Sequence, residues 1–497
     1  MSQKNSSKAP VSRVSSGIPW WVWVIGAGFV VVLLVITIPR LFPTNPQEAF
    51  DEAMVILESQ TPNVAKLTEN VETLRAYPEW AGHVKYLEAR MDVGRNMPLK
   101  AIPRLVEAMK SEQIRGKAGL LLGRAYGTAG KFEDAINTLA MVLDDPEVGD
   151  EARFISASIL TNGLALNDAM EHIKVLKEKG YKPPQVYQQE GDILMDFGRY
   201  EEAAAAYKKS LDESEETAAV GDVADRYLQC LVKIGKVTEA DQYVDKVEDP
   251  TRSSKFQALS LLGKGKVTEA LTVLDSNRQQ MPLVGEGAVV AAKVSLAENN
   301  VEKIKTDLPS VIAAAKQMSR NKDVYETLAQ MADKIGNEPL ANSARKNAEQ
   351  VGEIEAEMYK AVAAIAGTRK DNAGRLKVAS LAIQCGQYDF AKRVLDSLAR
   401  FFPDAEKEAN SIMPNLFVIS QPLVPLEGLT ESDTAPAPVN PTRQGPNPGE
   451  AKPEEAKPDE AKPDEGKSEA QPQDAPKTEE PKTEEPKTEE PKTEEPK

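Results

Sequence analysis

Ala101, Ala135, Ala169 and Ala203 stand 34 residues apart. The same step relates Ala89, Gly123, Ala157 and Gly191 upstream, and Leu105, Leu139, Ile173 and Tyr207 downstream. Phe132, Leu166 and Tyr200 keep it as well. A fixed period of this length means that one supersecondary unit is copied along the chain, and it constrains the fold before any other feature is read. Within one copy, Ala118–Tyr126 reads AGLLLGRAY, a short apolar helix. Gly130–Lys131 is a turn, and Phe132–Leu143 returns as a second helix with apolar residues at helical spacing. Gly123 and Ala135 are small enough to let the two helices meet closely, while Tyr126, Phe132 and Leu139 fill the space around them. Pro146 ends the unit, since proline cannot continue a helix. One pair cannot bury its apolar face alone, so pairs stack and share a continuous core.

This unit resembles the tetratricopeptide repeat, a 34-residue helix–turn–helix. Gly191 to Leu211, GDILMDFGRYEEAAAAYKKSL, resembles the family pattern most closely. It has Gly191 and Ala203 at the packing positions, Gly198 at the turn, then Tyr200 and Tyr207. Weaker copies follow. Gly235–Ala240 and Gly265–Ala270 share the string GKVTEA; Ala341 follows Gly336, Ala391 follows Gly386, and Phe402–Pro403 would end the last copy. The step from Ala203 to Ala240 is 37, so the period does not fix boundaries beyond residue 215. Residues 46–100 and 284–318 are helical in pattern but match the repeat poorly. The expected fold is all-α. The resemblance implies a right-handed α-solenoid with a concave inner groove, and the copies suggest about nine helical pairs over residues 46–405. A transmembrane helix is expected before it, a capping or docking segment at 406–430 after it, and a disordered tail at 431–497.

Residues 20–38, WWVWVIGAGFVVVLLVITI, carry no charge. As a helix they would span roughly 28 Å, close to the hydrocarbon core of about 30 Å. Trp20, Trp21 and Trp23 crowd one end, as interfacial aromatic residues do. A cleaved signal peptide would have a shorter apolar region and a small-x-small site, which Pro39–Pro43 does not offer. Gly26-Ala27-Gly28 lacks the small-xxx-small spacing of membrane dimers and reads as part of a lone span. Residues 1–19 carry Lys4, Lys8 and Arg13 and no acid; the other flank carries Arg40, then Glu48, Asp51 and Glu52. The positive-inside rule puts residues 1–19 in the cytoplasm and everything after residue 40 outside. The expectation is a single-pass protein of the cell membrane, in contact with the lipid bilayer through Trp20–Ile38, similar to bacterial proteins that carry an outward helical-repeat domain.

The tail reads AKPEEAKPDEAKPDE at 451–465 and PKTEE four times at 476–495. It has too little apolar surface to offset the entropy of ordering, and reads as a spacer or a solubilising segment. Residues 411–430, with Pro414, Leu416, Phe417, Val418 and Ile419, look like a strip over the last repeat. The net charge of −16 argues against nucleic acid as a partner. Two Cys and two His leave no room for a disulfide framework or a His-rich metal centre. Cys230 and Cys385 each fall just before a turn, far apart along a quasi-linear stack, and read as buried apolar thiols. His83 and His172 have no His or Cys at ligand spacing and read as structural or surface residues. Gly263–Lys266 lacks the full GxxxxGK[ST] pattern of a phosphate loop and reads as an inter-helix turn. No catalytic constellation is present, so neither enzyme activity nor a cofactor or metal is expected.

In the repeat family the first helices of successive pairs line the concave side. The resemblance therefore points to the exposed positions of the helices starting near Lys117, Glu151 and Gln185: Leu120, Arg124, Phe154, Ser158, Gln188 and Asp192. Some members clamp a C-terminal carboxylate with Lys and Asn in the groove, a pattern from which this face departs. Its mixed composition suits an extended or helical peptide held by a few anchors, not a small cofactor, which wants a closed apolar pocket. The expected function is a membrane-tethered scaffold whose groove binds a protein or peptide partner. The alternative is an extracytoplasmic factor of chaperone-like or translocon-associated type.

Overall fold

The computed structural model describes residues 45–59, 61–214, 220–277, 284–418 and 421–429, and every regular element among them is helical. The span expected at Trp20–Ile38, the segment 1–19 and the tail 431–497 lie outside the described residues. Among the described residues no helix is long and apolar enough to cross a membrane.

The helices come in pairs that pack on each other in chain order. The first two are α1 (Pro46–Glu58) with α2 (Val64–Arg75), and α3 (Ala81–Gly94) with α4 (Pro98–Ala108). The strictly periodic stretch holds α5 (Arg115–Thr128) with α6 (Phe132–Ala140), α7 (Gly149–Asn162) with α8 (Leu166–Glu178), and α9 (Pro183–Asp196) with α10 (Tyr200–Glu213). Next, α11 (Val220–Lys233) meets a 3-10 turn at Val237–Glu239 and the short α12 (Asp241–Val244). Then come α13 (Pro250–Gly263) with α14 (Val267–Ser276), and α15 (Glu286–Glu298) with α16 (Val301–Gln317). Finally α17 (Lys322–Ile335) pairs with the 28-residue α18 (Glu338–Ile365), and α19 (Asn372–Gln384) with α20 (Tyr388–Phe401), before α21 (Pro403–Ile412) closes the series. The described residues thus hold ten pairs, one more than the sequence suggests. Along much of the series the first helices of neighbouring pairs touch, as α1 does α3, α5 does α7 and α7 does α9.

The 34-residue columns are the contact surface within each pair. Ala101, Ala135, Ala169 and Ala203 are fully buried, as are Leu105, Leu139, Ile173 and Tyr207. The upstream column meets the downstream one. A Cβ placed on Gly191 would lie 2.6 Å from the Tyr207 ring, and one on Gly123 would lie 2.5 Å from Leu139. No real Cβ can sit that close, so glycine there is a steric requirement. The later turn alanines Ala240, Ala270, Ala341 and Ala391 are buried in the same way. The turns between first and second helices also align: Asn96, Gly130, Leu164 and Gly198, each 34 apart, all take positive φ. Glycine adopts this conformation freely and other residues do so rarely. Leu164 holds it at φ 55 with its side chain buried in the core.

Two stretches depart from the expected pattern. The identical strings at 237–240 and 267–270 fold differently: the first makes a 3-10 turn and a four-residue helix, the second opens the ten-residue α14. The difference lies downstream. Asp249-Pro250 follows the first string closely and already starts α13, with the Asp249 side chain accepting from the Thr251 and Arg252 amides. The first helix of the next pair thus starts ten residues after the first string, against sixteen after the second. The second departure is α18. Its N-terminal half buries Leu340, Ala341 and Val351 with α17, whereas Val362 and Ile365 at its far end join the core of the periodic repeats. Residues 421–429 lie along the first half of α18. There Asn347 donates to the Val424 carbonyl at 2.8 Å and accepts from its amide at 2.9 Å.

The cysteines are free and buried. The quasi-linear spacing assumed for them does not hold, because α18 and α19 return to the periodic repeats. Lys233, one turn beyond Cys230, pairs with Glu355 of α18 at 2.9 Å, and Gln387, two residues past Cys385, donates to the same carboxylate at 3.1 Å. His83 packs on Trp80 and Phe50, with ring centroids 4.3 and 4.9 Å away, and burial lowers its pKa.

Two predictions follow from this packing. Gly191→Ala should lower unfolding stability by about 1–3 kcal/mol, the usual range for overpacking. Gly94→Ala in α3, where a Cβ meets nothing within 4 Å, should be neutral or stabilise by up to about 1 kcal/mol through helix propensity; paired denaturant titrations separate the two. Burial raises both thiols from 9.0 to about 12. The unfolded thiols lose their protons first as pH rises, so stability should fall as pH climbs from 9 towards 12. A native-state thiol titration at pH 8 should show no fast-reacting thiol, and the denatured chain should show two.

Candidate protein-binding groove

The expected groove positions lie on α5, α7 and α9, whose mutual contact brings them side by side. Four residues at the 34-residue step run across these helices and the next: Arg124, Ser158, Asp192 and Arg226. Leu120 and Phe154 are half-buried and lean on the main apolar core. Ser158 and Gln188 are half-buried, and Arg124 is exposed. Each helix thus carries one residue of the column Leu120, Phe154 and Gln188 four positions before one of the column Arg124, Ser158 and Asp192.

The charged members of that strip are already engaged. The Arg124 guanidinium donates to Glu151, which also accepts from the Tyr181 hydroxyl and, at 2.6 Å, from the Lys182 ammonium. Burial works against the charged Glu151, but the bonds from Lys182 and Tyr181 outweigh it and hold the carboxyl below its ordinary range. Lys182 stands 5.1 Å from the Tyr181 ring centroid and 5.8 Å from that of Phe154, and the two rings are 6.4 Å apart. Phe154 therefore forms the floor of an aromatic corner roofed by a cation, a geometry that stabilises both.

Asp192 is not the free hydrogen-bonding group that its position suggested. It accepts from the Tyr207 hydroxyl at 2.7 Å and from the Arg226 guanidinium, so it ties α9 to α10 and to α11. Burial, with the Asp192 carboxylate beside it, raises the Tyr207 pKa and keeps that hydroxyl a donor. The same arrangement recurs one unit on, where Asp225 accepts from Arg252 at 2.5 Å.

Glu151, Tyr181, Lys182 and Arg226 contact the expected positions and were not among the expected residues. Arg226 was open to discovery as the fourth member of the column that holds Arg124, Ser158 and Asp192. Tyr181 and Lys182 were not. They precede Pro183 in the link between α8 and α9, where helical spacing carries no information, and Lys182 takes φ 38. Among the described residues no group of three or more His, Cys, Asp or Glu is gathered as a metal ligand set.

The all-helical paired fold agrees with what the chain is similar to. The tetratricopeptide repeat-like domain matches residues 88–234, from within α3 to the end of α11. No curated protein is similar enough in sequence to count as a relative.

Because Asp192 holds three helices together, Asp192→Ala should destabilise the chain by about 1–3 kcal/mol, the cost of leaving buried donors unmet. Ser158→Ala and Gln188→Ala should stay within about 0.5 kcal/mol. Thermal denaturation followed by circular dichroism ranks the three variants.

Proposed function

We propose that the chain is a membrane-tethered scaffold whose repeat groove holds an extended or helical segment of a protein partner. The observation that supports it is the aligned face of α5, α7 and α9 within the matched repeat domain, with Phe154, Tyr181 and Lys182 forming a half-open aromatic corner. Its charges are paired internally, at Arg124 with Glu151 and at Asp192 with Arg226. An incoming segment would therefore gain little from new ion pairs. It would gain from apolar burial at Leu120 and Phe154 and from hydrogen bonds at Ser158 and Gln188. Aromatic anchors ringed by near-neutral polar contacts are the usual composition of a binding hot spot. The tether is the span read at Trp20–Ile38, with Lys4, Lys8 and Arg13 on its cytoplasmic side.

A photo-crosslinking residue placed at Ser158 or Gln188 of the full-length chain tests the groove in native membranes. Exposed Lys174, on the second helix α8, serves as the control. Adducts with one dominant protein from the groove positions, absent from the control, are the expected result. Equal labelling from all three positions would defeat the groove reading, and labelling of many unrelated proteins would favour a chaperone-like factor. Phe154→Ala should reduce adduct formation without preventing folding. A reporter active only outside the cytoplasm should be active when fused after residue 405 and silent at residue 10; the opposite pattern would reverse the topology.

A further inference from the structure

The turns at Gly130, Leu164 and Gly198 form a row along one edge of the repeats, and the chain's own C-terminal part sits on each of them. At the first, Arg400 of α20 donates to the carbonyls of Gly127 and Thr128, both at 3.0 Å. The carbonyl of Arg400 presses so close to Gly130 that no side chain would fit there. At the second, Arg375 of α19 donates to the Gly163 carbonyl at 2.7 Å, Arg369 pairs with Asp168 at 2.7 Å, and the Asn167 amide donates to the Ala366 carbonyl at 3.1 Å. At the third, the Arg393 guanidinium grips Asp196 with bonds of 2.6 and 3.2 Å. Three helical arginines and one in the preceding link thus hold α19 and α20 across three successive turns.

This interface combines an apolar layer like those inside the pairs with a band of arginine bonds that the pairs lack. Val378, Ala379, Val394, Leu395 and Leu398 share one core with Phe132, Ile136 and Leu160. Phe132 lies against Phe401 and Phe402, with ring centroids 5.4 and 5.5 Å away, and around this layer the bonds run from arginines to backbone carbonyls and carboxylates. Arg375 is 1% exposed and lies 4.8 Å from the Phe402 ring centroid. Among the described residues, Arg375 Nη1, Asn372 Oδ1 and Ser397 Oγ of the hairpin, and Glu133 Oε1 next to Phe132, are buried with no protein partner. Each penalises the docked state, because a buried donor or acceptor gives up water without replacement. The hairpin is also bounded by non-α links on both sides, residues 366–371 before α19 and 413–418 after α21. Beyond its reach the edge continues uncovered. Asn96, the preceding turn of the row, is followed by exposed Met97 and Leu99, which line a cleft shared with Gly130 and Arg400.

We propose that α19 to α21 form a latch on the turn edge, held by Arg369, Arg375, Arg393 and Arg400, that opens as a unit while the repeat pairs stay folded. The closed latch covers the ridge from Gly127 to Asp196, while the Gly198 turn beyond it lies under the Tyr359 ring of α18. Opening lays bare Phe132 and the turn carbonyls as one surface continuous with Met97 and Leu99. The latch is separate from the proposed groove, and it stands whether or not the groove binds a peptide.

Hydrogen-exchange mass spectrometry on the full-length chain tests this. Amides of α19 and α20 should exchange through an opening that leaves α5 to α10 protected. Arg393→Ala and Arg369→Ala should each speed exchange in 372–401 and in the turns at 163–168 and 196–198, leaving 46–108 unchanged. Arg369→Asp combined with Asp168→Arg should restore the slower rate. If α19 and α20 in the unaltered chain exchange only together with α5 to α10, the latch does not exist as a separate unit. If they open separately but neither arginine variant changes the rate, the arginines do not hold it. Either result overturns the proposal.

Discussion

The contact between a small residue on a first helix and a large one sixteen positions later sets the geometry of the whole stack. Gly123 faces Leu139 and Gly191 faces Tyr207, each leaving no space for a methyl group; Ala89 and Ala157 belong to the same column as Leu105 and Ile173 belong to the other. Once that distance is fixed, the turn after each first helix needs a left-handed residue to reverse the chain. Gly130, Gly198, Gly235, Gly265, Gly336 and Gly386 supply it, with Asn96, Leu164 and Asn299 in the same role. Equal pairs then present equal faces. The aligned face of the first helices and the row of turns both follow from a contact that touches neither.

The groove shows how the repeat treats charge. Partners recur at steps of 27 and 34 residues: Arg124 with Glu151 and Asp225 with Arg252 at the shorter step, Asp192 with Arg226 at the longer. Each pair bridges neighbouring units, so residues that look like free recognition groups on one helix act as ties between helices. Such half-exposed pairs add modestly to stability. Their larger effect is to leave the Phe154 ring, Ser158 and Gln188 as the part of this face with no charged partner of its own among the ion pairs.

What the sequence makes legible is what the period controls. The alanine column, the turn glycines and the buried thiols are found where the pattern puts them, because each depends on contacts within one unit. The six groove positions lie on three adjacent first helices for the same reason. What escapes the pattern is whatever depends on residues far away. Nothing local marks Arg375 as a partner of Gly163, 212 residues earlier, or gives α18 the length to leave one core and enter another. The short helix after Gly235 was missed for a nearer cause, since its six opening residues are identical to those at 265–270 and do not tell the two apart.

The return of α18 to α20 onto the turn row also limits how this chain can change over evolutionary time. An open repeat array tolerates gain or loss of a unit, because each pair contacts only its neighbours. Here Arg369, Arg393 and Arg400 must land on turns spaced at the 34-residue step. Duplicating or deleting one pair between α11 and α17 would shift the arginines off their carbonyls and carboxylates. Copy number is therefore a geometric constraint in the interior of this chain, while the pairs ahead of α5 carry none of the arginine bonds that impose it.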